Sequence, residues 1–286
     1  MPIVLFLISC FASTAWGVMD GTVSRPIQSL FFLLKYVEYF LLYFLIANVI
    51  RTREQVERFL KALLITAALV SLWCYWNSLT TTGALFGAYY RVSAPFDYDF
   101  KGEGEPNTLA AYLMIISAIC IGVALHATSR VRRMSCLVLL FLMVLPFLST
   151  YSRGGWVSFI VMYATVCLLS RRYKPLLFSL LVGGILVVPL LVPPTVIARV
   201  AETFTQPTGS FGVQVFGMRV PLSPSPYHRV YVWNFIFEKF MERPLLGFGV
   251  TGVGLIDSQY PRMIGELGLI GFIFFVWMLE EEGSIS

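Results

Sequence analysis

Apolar residues gather in eight stretches, near Ile3–Met19, Ile27–Ile50, Phe59–Leu79, Thr108–Leu125, Met134–Thr150, Gly154–Ser170, Pro175–Val192 and Ile264–Leu279. Each approaches the roughly 20 residues that a helix needs to cross the hydrocarbon of a bilayer. Short polar connections join the first seven, and one long segment separates the seventh from the last. The fold class expected is an all-α polytopic membrane protein of about eight transmembrane helices. Its parts are 1–192, seven helices with short loops; 193–263, one large outer loop; and 264–286, the last helix and a C-terminus that reads as truncated. The first stretch is short enough to pass for the apolar region of a signal peptide, with Ala12–Ala15 as a weak cleavage site. It lacks the positive flank such a peptide carries.

The connections supply orientation. Three are basic: Arg51, Arg53, Arg58 and Lys61; Arg130, Arg132 and Arg133; Arg171, Arg172 and Lys174. Positive residues near span ends stay cytoplasmic, and these three alternate correctly for that. Segments 20–26, 80–107, the turn at Arg153 and 193–263 are then expected on the opposite face, periplasmic for a bacterial inner membrane. With 57% hydrophobic and 13% charged residues and a mean hydropathy of +0.77, an ordinary soluble domain is excluded. The formal charge of +5 follows from the topology and from attraction to anionic membrane lipids, and makes no case for nucleic acid.

Within the long segment, Pro193 to Pro226 is rich in Pro and Gly without clear periodicity and reads as a mobile link. The pattern changes at YHRVYVWNFIFEKFMERPLLGFG, where apolar residues take helical spacing from Val230 to Phe240. An amphipathic helix on the membrane surface is expected, with Trp233, Ile236, Phe237 and Phe240 on its apolar face. Pro244 and Gly247 end it. Upstream, Asp97, Asp99, Glu103 and Glu105 in FDYDFKGEGEPN read as a solvated loop, because nothing fixes a coordination geometry. The five cysteines lie in apolar runs without paired spacing and read as packing residues. Lys35 and Glu38, three apart, can pair on one helix face. Metal-ligand spacing, a phosphate-cradling glycine loop and a nucleophile elbow are all missing from the sequence, so no metal or other cofactor is expected.

Ser149 to Trp156 reads STYSRGGW. Arginine in mid-bilayer costs roughly 2.5 to 3.5 kcal/mol on insertion scales, so Arg153 must sit at a water-exposed helix end or face a polar cavity. The glycines let other groups approach closely. A guanidinium held there suits bidentate binding of a phosphate. The plainer alternatives are a topology anchor for Arg153 and a headgroup anchor for Arg229.

STYSRGGW, the R-x3-W helix ending in ERPLLGFG, and DSQYPRMIGELGLIGF leading into the last span, in that order and spacing, are similar to the bacterial O-antigen ligase and polymerase superfamily. The resemblance runs from PNTLAAYL onward, with a weaker match across KYVEYFLLYFLIANVIRTREQVERFLKALL. It implies a metal-independent glycosyltransferase acting at the periplasmic face. The donor implied is an oligosaccharide or polysaccharide linked to undecaprenyl diphosphate. The acceptor implied is a glycan, in polymerisation, or the lipid A core of lipopolysaccharide, in ligation. By position, Arg153 and Arg229 match the family arginines that hold the diphosphate. Family ligases commonly carry a catalytic His before the E-x-G-x-x-G segment; here Asp257 and Ser258 stand in that place. The departure resembles the polymerase and exopolysaccharide branches and puts a histidine mechanism in doubt. Asp257 is the first candidate for accepting the acceptor's proton and His228 the second, with loop capping the alternative for Asp257. Tyr260 and Arg262 would line the same cleft, and Glu266 would support it. Two other readings are a lipid-linked oligosaccharide flippase, whose polar groups would gather on broken helices at the midplane, and an inactive fragment, given the abrupt apolar start and the end at LEEEGSIS.

Overall fold

The computed structural model describes residues 1–83, 91–96, 104–170, 173–191, 212–215, 218–221, 224–254, 256 and 258–284. These form α1 (Pro2–Met19), α2 (Pro26–Val49), α3 (Arg53–Thr82), α4 (Pro106–His126), α5 (Arg130–Ser149), α6 (Arg153–Leu169), α7 (Lys174–Leu191), α8 (Pro224–Glu242) and α9 (Gln259–Ser284). Proline opens α1, α2 and α4, where its missing N–H has no helical partner to lose. A Thr52–Gln55 capping box opens α3, and Gly83, at φ 68°, ends it.

Among the described residues, six helices are long and apolar enough to cross a membrane: α1 to α5, and Gln259–Glu281 of α9. The other two expected spans coincide with α6, an apolar helix of 17 residues, and α7, one of 18. Between them and the last helix, part of the stretch expected to be an aperiodic link forms an antiparallel hairpin, β1 (Gly212–Val215) and β2 (Met218–Pro221), with Val213 opposite Val220. The sequence signal for it is alternation at Val213, Val215 and Val220.

The chain divides into two compact units, Met1–Arg51 with Gln206–Ser286, and Thr52–Thr205. In the Thr52–Thr205 unit the core joins Ala67, Val70 and Cys74 of α3 to Leu109, Leu113 and Ile116 of α4 and Cys136, Leu139 and Met143 of α5. The buried line of α3 (Ala67, Ser71, Cys74, Ser78) is made of small residues, which lets neighbouring backbones come close without a hydrophobic driving force. All five cysteines are buried and free.

The other unit is built on α1 and α9, with Phe6, Cys10, Leu33, Val250, Met263, Leu267, Phe275 and Met278 at its centre. Only Ser29 and Leu33 of α2 are buried. Lys35 and Glu38 are exposed on that helix and form no ion pair among the described residues, since their part of α2 packs too little to hold them together. In α1 the stretch that resembled a cleavage site is a helical turn with Ser13 and Thr14 buried and Ala12 and Ala15 exposed. On α8, Ile236 is buried and Phe240 half-buried, whereas Trp233 and Phe237 are exposed. The apolar face expected there is thus split between the unit interior and the outside.

The feature that organises this unit is a break in α9. Gly268 adopts φ 65° and ψ −164°, outside helical space. The break frees backbone groups that would otherwise bond along the helix, and the segment following α8 takes them. Leu269 and Ile270 donate to the carbonyls of Pro244 and Leu245 at 2.8 and 3.3 Å, while Phe248 and Gly249 donate to those of Gly265 and Glu266 at 3.1 and 2.9 Å. PLLGFG therefore lies along the break and completes its hydrogen bonding, as apolar surroundings require. Gly268 permits close approach of this segment, whereas Gly265 makes room for Ile236 of helix α8, the helix packing that the sequence pointed to.

Candidate functional site

In the Thr52–Thr205 unit, STYSRGGW is a sharp link from α5 to α6. Tyr151 takes a left-handed conformation, φ 50°, that ends the chain's helical course after Ser149. The open carbonyls at the end of α5 are met by the stretch before α4: Val92 N–H donates to Ser149 at 3.0 Å, and Arg91 Nε to Thr150 at 3.1 Å. Ser152 then caps α6, accepting from Gly155 N–H at 3.2 Å while its hydroxyl donates to Asn107 Oδ1 at 2.8 Å. Asn107 in turn donates from Nδ2 to Glu105 Oε1 at 2.6 Å, and that carboxylate also caps α4. A chain of polar side chains so ties the N-termini of α4 and α6 together, and both helix dipoles present positive ends there. Arg153 is the first helical residue of α6 and is half-buried.

The two glycines differ in what they do. A Cβ at Gly155 would come within 2.8 Å of Ala110 Cβ, so Gly155 serves the close crossing of α4 and α6. A Cβ at Gly154 would meet nothing within 4 Å among the described residues, so the helix surface next to Arg153 in sequence is open at Gly154. A cationic fork at a capped helix N-terminus is suited to an anionic group such as a phosphate. Arg91, Glu105 and Asn107 were not singled out as site residues by the sequence; for Asn107 the pointer was PNTLAAYL.

The remaining candidates belong to the other unit. His228 and Arg229 are exposed on the first turns of α8. Asp257 lies outside the described residues. Tyr260 is exposed on α9, its ring 6.1 Å from that of Phe275. Arg262 and Glu266 are brought together: Arg262 Nε donates to Glu266 Oε1 at 3.1 Å, and the guanidinium stacks on Phe32 with 5.1 Å to the ring centroid. Glu266 is fully buried. Its Oε1 also accepts from Thr251 N–H at 2.8 Å, and Thr251 Oγ1 meets Ser29 Oγ at 2.6 Å.

This polar centre pins the glycine-rich segment after α8. Ser13 Oγ stands within reach of the carbonyls of Leu246 and Glu266, and Thr14 Oγ1 accepts from Val250 N–H at 3.1 Å. Thr22 Oγ1 donates towards Phe248 O at 2.9 Å. Arg243 pairs with Asp20 and lies over the Phe248 ring at 5.0 Å. Beside that pair is a cavity of about 380 Å³ lined by Trp16, Asp20, Arg243 and Pro244 to Gly247. None of Ser13, Thr14, Thr22, Ser29 or Thr251 stood out in the sequence. For Ser13, Thr14 and Ser29 the signal is a hydroxyl placed in an apolar run.

Two curated relatives match the chain. One, from Rickettsia felis, named "Putative polysaccharide ligase", is 25% identical over 301 residues, covering 96% of this chain and 65% of the relative. A second, from Rickettsia conorii and of the same description, is 26% identical over 165 residues, covering 50% of this chain and 37% of the relative. The chain thus spans less than two thirds of either relative's length. No family model and no solved structure matches it.

Proposed function

We propose that this chain transfers a glycan, at the outer face of the cytoplasmic membrane, from an undecaprenyl-diphosphate donor to a hydroxyl of a second glycan or of a lipid A core. The observation that carries the reading is Arg153, held at the capped start of α6 and next in sequence to the open helix surface at Gly154. It is supported by the likeness to relatives named for polysaccharide ligation, which extends over nearly the whole chain. In the proposed step the acceptor oxygen attacks the anomeric carbon as the bond to the diphosphate breaks. Arg153 and Arg229 stabilise the negative charge growing on the leaving group. The acceptor's proton passes to the carboxylate of Asp257. Arg262 and Glu266 support the site, Glu266 by fixing the direction of Arg262.

A flippase would use broken helices whose free ends face the cargo. Helix α9 is broken at Gly268, but Leu269, Ile270, Gly265 and Glu266 all spend their freed backbone groups on Pro244 to Gly249. That closed arrangement favours the enzyme. The test is transfer by the purified protein of a synthetic undecaprenyl-diphosphate oligosaccharide to lipid A core or to a glycan acceptor. Arg153→Ala and Arg229→Ala should each lose roughly a hundredfold or more, while inserting normally. Arg153→Lys should rescue poorly, lacking the planar fork. Full activity in Arg153→Lys would reduce Arg153 to an anchor, and translocation of labelled donor across proteoliposomes without transfer would establish the flippase instead.

A further inference from the structure

Within the Thr52–Thr205 unit, α3 and α5 leave between them a groove of about 640 Å³. Its walls are apolar, with Leu64, Ile65 and Ala68 on α3 and Met134, Val138 and Leu142 on α5, and Arg130 stands at one end. The two helices run the same way: Arg132 near the start of α5 pairs with Glu57 near the start of α3 at 3.1 Å, and Tyr75 Oη reaches Leu142 O further along both. Lys61 precedes Leu64, Ile65 and Ala68 by three, four and seven residues and so shares their helix face. Both Arg130 and Lys61 are therefore at the same end of the groove, and both are exposed. Their neighbours are occupied, Arg132 by Glu57 and Arg133 by the carbonyl of Ala127.

From Arg130 to Leu142 the groove runs about 18 Å along α5, the reach of one extended acyl chain. A cationic mouth on an apolar channel between transmembrane helices is complementary to a negatively charged lipid headgroup carrying an acyl chain. This mouth is at the start of α5, whereas STYSRGGW follows its end, a helix length of 20 residues away. The groove is thus separate from the site around Arg153.

We propose that the α3–α5 groove binds one anionic phospholipid, its phosphate held by Arg130 and Lys61 and one acyl chain lying along Ile65, Val138 and Leu142. This assignment does not depend on the transfer reaction. The experiment is native mass spectrometry of the full chain in mild detergent, titrated with phosphatidylglycerol or with phosphatidylcholine of the same chains. Wild type should retain one phosphatidylglycerol about tenfold or more better than phosphatidylcholine. The doubly substituted Arg130→Gln/Lys61→Gln protein, altered only at exposed positions, should lose that preference. Val138→Trp, which fills the channel, should lose retention of both lipids. Equal retention of the two lipids by wild type, or unchanged retention in either variant, would overturn the site. A dimer in the wild-type spectrum that Val138→Trp abolishes would assign the groove to a second copy of the chain, and would overturn it equally.

Discussion

Gly268 occupies a backbone region that is essentially closed to other residues, and a Cβ there would lie 2.5 Å from the carbonyl carbon and oxygen of Leu245. Gly268→Ala should therefore cost about 2 to 6 kcal/mol, from backbone strain and overpacking together. Gly122→Ala, where a Cβ meets nothing within 4 Å, should cost little. Thermal unfolding in detergent checks both, and equal midpoints would mean that the break in α9 carries no stability. Glu266 poses a second question at this scale. Its guanidinium partner is only 14% exposed, so Glu266→Leu leaves a nearly buried cation alone, a loss of about 3 to 5 kcal/mol. Adding Arg262→Met should recover most of it. A double variant no more stable than Glu266→Leu would show that the carboxylate acts chiefly through Thr251, whose N–H it also accepts.

At the scale of elements, the N-terminus of α6 is the place to separate positioning from folding. Ser152→Ala removes the cap, for about 1 kcal/mol, and with it the bond to Asn107. On the proposed mechanism transfer should fall more than the melting point does, because the cap sets where Arg153 begins its helix; Ser152→Thr should restore both. Transfer that follows stability alone would leave Arg153 without a positioned role. How far such elements are legible differs with the range of their contacts. Helix α8 and the turn at Arg153 announce themselves in local pattern, by apolar spacing from Val230 to Phe240 and by a charge that the bilayer would otherwise exclude. Ser13 does not, because its acceptors are the carbonyls of Leu246 and Glu266, more than 200 residues away. Similarly, Gly265, Gly268 and Gly271 spell a helix-packing pattern, and only the presence of Pro244 to Gly249 alongside turns Gly268 into a break. Lys35 and Glu38 show the converse, a local spacing that permits a pair which the weakly packed α2 does not form.

For the whole molecule, the number of membrane crossings turns on α6 and α7; among the described residues the other six apolar helices are of membrane length. At 17 residues, α6 is about 26 Å long, a few ångströms short of the hydrocarbon core unless the bilayer thins around it. Hydropathy alone leaves both outcomes open, and the count does not help: since α6 and α7 are consecutive, crossing or not crossing as a pair leaves 193–263 on the same side. Charge does decide. Arg171, Arg172 and Lys174 lie between the two helices, and placing them outside would oppose the bias that fixes the other two basic connections. Reporter fusions at Arg53, Arg132 and Arg172 should therefore all report cytoplasm, and fusions at Gly87 and Gly212 periplasm. A periplasmic signal at Arg172, with the other four unchanged, would make α6 and α7 a re-entrant or surface pair and leave six spans. Cytoplasmic signal at Gly212 would be more damaging, because it would put Arg229 on the opposite face from the turn at Arg153. A shared diphosphate site, and the transfer reaction built on it, would then be ruled out.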